Sequence, residues 1–292
     1  HARSVVRRML LARSLAGPAA RSSEAGSLPR VARCVRARAE LGMTGAKGKF
    51  TLHYFDAYGR GEKLRLLFRC VGQEFEDKRY AFPNGIAHLK DTLLPFGQVP
   101  CLEHDGAAFG ETSAIAVYLG KVLDLYPDAV KEQAKADMIC AEVNNIMNSV
   151  FYPVYLPVAI SGVVRVPVDS PILFYWKLMG SKASIFLKKF KAIQKLYRRS
   201  EEGEGGKWIA GTKMSYIDVV VFDVFYQCSF LYVLRAQLLS KETLLHELGD
   251  LVELCARVES IPTLSQYLSE RPGLSPLGES ARFTFTRDIL GR

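Results

Sequence analysis

Two phenols, Tyr54 and Tyr58, stand in a stretch from Phe50 to Arg69 that contains no Cys and no Ser. The stretch reads as a first strand running into a first helix, a junction where a reactive group is easily presented. A phenol with a pKa of about 10 is a poor nucleophile but a good hydrogen-bond donor. Such a donor suits the holding of a thiolate brought in by a ligand. A free thiol has a pKa of about 8.5, and a hydrogen bond given only to the anion lowers it. Making the thiol ten times more acidic takes about 1.4 kcal/mol of such stabilisation. Arg60 and the positive end of the following helix add favourable charge nearby. The other reading of Tyr54 is a packed aromatic whose hydroxyl is satisfied internally.

Other chemistries find little support. The five histidines, His1, His53, His88, His104 and His246, show no HxxxH or HExxH spacing, so no metal requirement is expected. No GxSxG or GxxxxGK motif occurs, and Gly59-Arg60-Gly61 lacks the third glycine of a dinucleotide loop. The six cysteines are scattered without a CxxC. They read as reduced, packed thiols and not as a zinc knuckle or a dithiol centre.

The elements that must position Tyr54 follow from the patterning. Residues 49–55 alternate as a strand, with Phe50, Leu52 and Tyr54 on one side. Leu64, Leu67, Phe68 and Val71 form one helical face, Arg65 and Arg69 lie on the other, and Gly72 stops the helix. Residues 73–80 read as a second strand, and a short helix is expected near 86–93. Residues 99–104 and 107–110 pair as a hairpin across Asp105-Gly106. Glu111-Thr112-Ser113 then opens a helix. The order βαβαββα is that of a thioredoxin-like domain, an α/β unit expected over residues 49–125. Pro100 stands one residue into a strand, which predicts a cis Val99–Pro100 bond.

Strand signals fade after about residue 125, and an all-α C-terminal domain is expected over 126–292. Helices are predicted at 131–147, 173–197, 215–234, 241–259 and 262–270. Ser215-Tyr216-Ile217-Asp218 matches a capping box, which makes Asp218 structural. Residues 143–164 carry no charge, long enough to span a bilayer. Asn144, Asn145, Asn148, Pro153 and Pro157 favour a buried helix followed by a bent segment. Residues 201–206 read as a solvated acidic-glycine loop.

Three motifs taken together carry a resemblance. Leu52-His53-Tyr54-Phe55 with Gly59-Arg60-Gly61-Glu62 resembles the opening of tyrosine-type glutathione transferases. So does Leu94-Pro95-Phe96-Gly97-Gln98-Val99-Pro100-Cys101-Leu102-Glu103-His104-Asp105-Gly106, and so does Glu111-Thr112-Ser113-Ala114-Ile115-Ala116-Val117-Tyr118-Leu119. Trp208-Ile209-Ala210-Gly211 with Ser215-Tyr216-Ile217-Asp218 is similar to the segment before the family's buried second-domain helix. The resemblance covers about residues 49–270 and leans towards the sigma class, which includes glutathione-dependent prostaglandin D synthase.

The resemblance implies a soluble transferase that adds the glutathione thiolate to electrophilic small molecules, with glutathione as co-substrate. The alternatives are a sigma-type isomerase or peroxidase, and a non-catalytic binding or structural protein on the same scaffold. Tyr54 would activate the glutathione sulfur and Arg60 would support it. Val99, beside Pro100, would pair its backbone with the cysteinyl unit. Gly97 and Gln98 would line the groove. Glu111 and Thr112 would hold the γ-glutamyl end, and Lys90 the glycyl carboxylate. Phe55, Tyr58, Met147, Phe151, Tyr152 and Tyr155 would face a hydrophobic electrophile. A homodimer without a membrane span or nucleic-acid partner is implied. Residues 271–292, including 282–286, would form a tail over the electrophile pocket.

Departures from the family pattern are local. Glu111-Thr112 replaces the usual Gln-Ser, a common tryptophan is missing near Ala87, and Asn145 stands where the partner subunit usually supplies an acid. Charge adds one more division. The net +9 is concentrated in residues 1–42, where nine Arg against Glu24 and Glu40 give +7 and leave +2 for the rest. The body is therefore not read as nucleic-acid binding. Residues 1–48 read as a disordered leader or an organelle transit segment, and initiation at Met43 would make residues 1–42 translated leader. A cytoplasmic location is expected, or a mitochondrial or plastid one for a genuine transit segment.

Overall fold

The computed structural model describes residues 48–153, 155, 172–201, 207–231, 239–271 and 284–292. The leader at 1–47, the bent segment beyond Tyr155 and most of the 201–206 loop lie outside the described residues. Strand β1 (Phe50–Phe55) is buried along nearly its whole length, as a central strand with covered faces must be. Its alternation divides two environments. Phe50 and Leu52 enter the main core, whereas Phe55 joins a smaller cluster around Ile86, Leu94 and Cys101. Helix α1 (Gly59–Cys70) buries Leu64, Leu66, Leu67 and Phe68 completely. It stops at Gly72, whose φ of +65° suits a residue without Cβ, with Gln73 N–H returning to Phe68 O at 2.9 Å.

Strand β2 (Glu76–Tyr80) pairs parallel with β1, so α1 is the crossover such pairing requires. Strand β3 (Cys101–His104) pairs antiparallel with β1, with His53 opposite Cys101. Strand β4 (Ala107–Phe109) closes the hairpin through Asp105 and Gly106, both at positive φ. The sheet order is β2-β1-β3-β4. A single 3₁₀ turn, Ala87–Leu89, stands where the sequence predicts a short helix. Helix α2 (Thr112–Val122) completes this half.

The rest is helical: α3 (Val130–Ile146), a π-helical turn (Met147–Phe151), α4 (Ile172–Glu201), α5 (Tyr216–Ser229), α6 (Lys241–Glu259) and α7 (Pro262–Glu270). Every residue of α5 is buried, and it packs on α1, α2, α3 and α6. Its start carries the capping box: Asp218 accepts Ser215 N–H and Ile209 N–H, both at 2.8 Å. Burial pushes the Asp218 carboxyl up to about 6, against those hydrogen bonds.

Arg65, on the helix face opposite Leu64, Leu67 and Phe68, is nevertheless fully buried, because its guanidinium binds Asp77 and the Phe55 and Ala57 carbonyls. Within the tail expected over the pocket, 272–283 lie outside the described residues, which resume at residues 284–292. They form a π-helical turn (Phe285–Ile289) against α6, with Phe285 buried and stacked 5.3 Å from Phe225. Glu259 holds this turn by accepting the Phe285 and Thr286 amides. Cys70, Cys101, Cys140, Cys228 and Cys255 are buried. Among the described residues no helix is long and apolar enough to cross a membrane, and no group of three His, Cys, Asp or Glu could hold a metal ion.

Candidate active site

The sheet register collects most of the sequence candidates at one end. Tyr54 lies at the C-terminal end of β1, and the antiparallel β3 begins beside it, just after Val99 and Pro100. β4 runs back to the same end and delivers Glu111 and Thr112 at the start of α2. The Val99–Pro100 bond is cis, as the sequence predicts.

Tyr54 is held at the first turn of α1. Its hydroxyl oxygen accepts the Arg60 backbone N–H at 3.0 Å, and its side chain is almost fully buried. The two glycines around Arg60 have steric causes. A Cβ on Gly59 would lie 2.7 Å from Tyr54 Oη, and one on Gly61 would lie 2.4 Å from the ring. The helix backbone thus lies directly on the phenol, which only glycine permits. Tyr54 Oη receives one of the amides that a helix start leaves without an internal partner.

Arg60 spends its side chain elsewhere. Its Nη2 donates to Asn148 Oδ1, and its guanidinium lies 5.2 Å from the Tyr152 ring centroid. Both partners follow the end of α3, where the π-helical turn redirects the chain towards β1. Tyr152 is hydrogen-bonded to the Tyr54 hydroxyl, and burial raises its own phenol well above the ordinary range. Tyr155 stacks on Phe151 at 4.8 Å, and burial together with Tyr54 raises its phenol to about 12. Tyr152 and Tyr155 therefore share the surroundings of Tyr54.

The other pocket candidates are placed differently. Phe55 packs with Ile86 and Val99 in the smaller cluster and edges onto Phe82. Tyr58 is buried beneath Arg271, whose guanidinium lies 4.5 Å from its ring centroid. Met147 and Phe151 belong to the main core. Among the ligand-strand candidates, Gly97 has φ +62° and Gln98 is exposed before the cis bond. Val99 is half-buried and Pro100 buried. Glu111 is exposed with φ +64°, a conformation that costs a side-chain-bearing residue about 1–3 kcal/mol. It places Thr112, buried, at the first position of α2. Lys90 is exposed just after the 3₁₀ turn.

The sequence reading missed the polar scaffold behind Tyr54. Glu62, fully buried, accepts Arg271 Nη1 at 2.8 Å, Tyr267 Oη at 3.0 Å and Arg65 Nη1 at 3.3 Å. Arg65 in turn grips the carbonyls of the β1–α1 loop, immediately after Tyr54. Behind the first turn, Lys63 and Asp223 form a buried pair at 3.9 Å. Burial lowers the Lys63 ammonium pKa and raises the Asp223 carboxyl to about 7, each opposed by the other's charge. Asp223 and Gln227 interrupt an apolar helix at i, i+4 spacing, which was the available signal.

Such a molecule, a thioredoxin-like sheet domain with an apposed helical domain and a phenol at the junction, has close relatives. The family model described as the N-terminal domain of glutathione S-transferase matches residues 50–121, and that of the C-terminal domain matches 179–271. The chain is 30% identical over 244 residues to Glutathione S-transferase A1 of Bos taurus, covering 83% of this chain and 98% of that one. It is 29% identical over 231 residues to Glutathione S-transferase alpha-3 of Rattus norvegicus, covering 79% and 93%. The solved glutathione S-transferase of Ascaris lumbricoides aligns with a TM-score of 0.61 at 26% identity, covering 77% of this chain and 98% of that one. The structure of rat hPGDS complexed with a quinoline aligns at 0.55 and 24% identity, covering 77% and 98%, a likeness of fold. The chain belongs to the glutathione S-transferase family.

Proposed function

We propose that this chain is an active glutathione transferase in which Tyr54 stabilises the glutathione thiolate for attack on a soft electrophilic carbon. The observation that carries this is the Tyr54 hydroxyl, its oxygen already accepting the Arg60 amide at the start of α1. The Tyr152 hydroxyl, whose bond to Tyr54 favours its own protonated form, donates to the same oxygen, so the Tyr54 proton is the group's contribution to a ligand. A donor to the anionic sulfur lowers the thiol pKa, and the helix start adds positive potential. The sulfur lone pair then forms the new S–C bond while the leaving group departs with its electron pair. Tyr54 needs no change of ionisation in this step. The cysteinyl backbone would pair beside Val99 and Pro100, as a strand added to an edge. Gly97 and Gln98 would line that groove, Glu111 and Thr112 would meet the γ-glutamyl end, and Lys90 the glycyl carboxylate.

Tyr152 and Tyr155 are the side chains best placed to face the electrophile. A homodimer belongs to this reading, supported by exposed Phe96, Val130 and Met138. So does a cytoplasmic location. The sigma assignment rests on the motif resemblance as a whole, whereas the curated relatives named above carry alpha-type names. Isomerase or peroxidase chemistry of sigma type is separated from conjugation by product analysis.

The test is the ultraviolet thiolate absorbance of bound glutathione, titrated against pH in the native protein and Tyr54→Phe. A hydrogen bond to a charged group is worth about 1.5–3 kcal/mol, so the midpoint of the thiol titration should move up by about 1–2 pH units in the variant. Equal ionisation in both proteins removes Tyr54 from the mechanism. Retention on immobilised glutathione without turnover of a chlorodinitrobenzene would favour a binding protein.

A further inference from the structure

The hydrogen-bond partner of Tyr54 belongs to a peptide group that is held from its other side. The Arg60 N–H that donates to Tyr54 Oη and the Gly59 carbonyl are the two ends of one amide. Gln227 Nε2, on the buried helix α5, donates to that Gly59 carbonyl at 3.0 Å. The same Nε2 donates to Asp223 Oδ2 at 2.9 Å, and Asp223 pairs with Lys63. Both partners of Nε2 are acceptors, which fixes the orientation of the side-chain amide. The chain runs from the Asp223 carboxyl through the Gln227 amide and the Gly59–Arg60 peptide to the phenol oxygen.

We propose that Gln227 is a positioning residue for Tyr54, acting from the helical domain through the Gly59–Arg60 peptide. The inference rests on the thiolate-stabilising role of Tyr54. Donation to a peptide carbonyl polarises the amide and strengthens the donation its N–H makes. A stronger bond to the phenol oxygen makes the phenol proton a better donor to sulfur. The same contact fixes the plane of the peptide, so the N–H stays aimed at Oη. Gln227 touches neither the ligand nor the reacting atoms. It is 1% exposed.

The experiment is the thiolate titration of bound glutathione in native protein, Gln227→Met, Gln227→Asn, Tyr54→Phe and the Tyr54→Phe/Gln227→Met double variant. Methionine keeps the volume and removes the donor; asparagine keeps an amide that falls short of Gly59. The expected result is about threefold less thiolate for Gln227→Met at a pH below the thiol pKa, the loss of part of one cooperative bond. The same substitution should change nothing further once Tyr54 is Phe. Turnover of native protein and Gln227→Met should converge at high pH, where glutathione ionises unaided. The Arg60 amide nitrogen resonance should move in the single variant. Should Gln227→Met not fold, Gln227→Asn carries the same expectation. A shifted Tyr54→Phe with an unshifted Gln227 variant overturns this link alone. An equal shift in both backgrounds shows that Gln227 acts elsewhere and overturns it too. An unshifted Tyr54→Phe overturns the catalytic reading and the link together.

Discussion

Gly59→Ala tests the placement of the phenol without touching the phenol itself. Gly59 has φ +44°, and a Cβ there would meet Tyr54 Oη at 2.7 Å and Tyr152 Oη at 3.2 Å. Ordinary contact begins near 3.4 Å, so the Tyr54 hydroxyl must retreat by about 0.7 Å. A retreat of that size takes the 3.0 Å bond to the Arg60 amide beyond hydrogen-bonding range. The lost bond costs about 1 kcal/mol and the left-handed backbone about 1–2 kcal/mol more. The variant should lose about 2–3 kcal/mol in urea unfolding. Gly72→Ala supplies the control at the other end of the same helix, because φ is +65° there and the nearest side-chain atom, of Thr263, is 4.0 Å away. It should lose about 1 kcal/mol and keep its turnover. Misplacing a reacting group by about 1 Å costs about 100-fold, so Gly59→Ala should lose turnover with chlorodinitrobenzene on that order while remaining folded. Turnover within twofold of Gly72→Ala would refute the placement of Tyr54 Oη at the reacting sulfur.

Arg271→Met removes one buried charge from Glu62 and should cost about 3 kcal/mol in urea unfolding, since breaking a buried pair strands its partner. A loss below about 1 kcal/mol would show that Arg65 and Tyr267 satisfy Glu62 without it. Asp218 and Asp223 hold their protons in the folded protein up to about 6 and about 7, because burial disfavours their charged forms. The unfolded chain releases those protons at about 4, so folding takes up protons between these values and stability falls as pH rises through that window. Raised by about two and about three pH units at about 1.4 kcal/mol each, the two groups make the fall on the order of 7 kcal/mol, and Asp223→Asn should flatten its upper half. Stability that rises with pH across that window would contradict the assignment.

The elements were legible because their signals are local. Helices α6 and α7 fall where the sequence predicts them, at 241–259 and 262–270, and the hairpin follows from Asp105-Gly106. The burial of Arg65 was not legible, because its partners Asp77 and the loop carbonyls come from other elements. The family resemblance, and not their own patterning, puts Phe55 and Tyr58 at the pocket. The alternation of β1 sends Phe55 into the smaller cluster, and α1 buries Tyr58 under Arg271. Tyr54 itself was legible from its position, but its partner was not, since Arg60 contributes a backbone amide that no residue type announces. The buried polar pair on α5 was hidden for a related reason. Asp223 and Gln227 acquire meaning only when α1 lies across them.

Arg271 ties the last turn of the helical half to the first turn of α1 through Glu62, and Arg65 passes that tie on to the loop after Tyr54. The rigidity of the reactive strand is thereby inherited from residues two hundred places downstream. On the proposed reading the two lobes should melt as one unit, and a chain cut short of Arg271 should lose this tie to the Tyr54 loop while every candidate glutathione contact is still present.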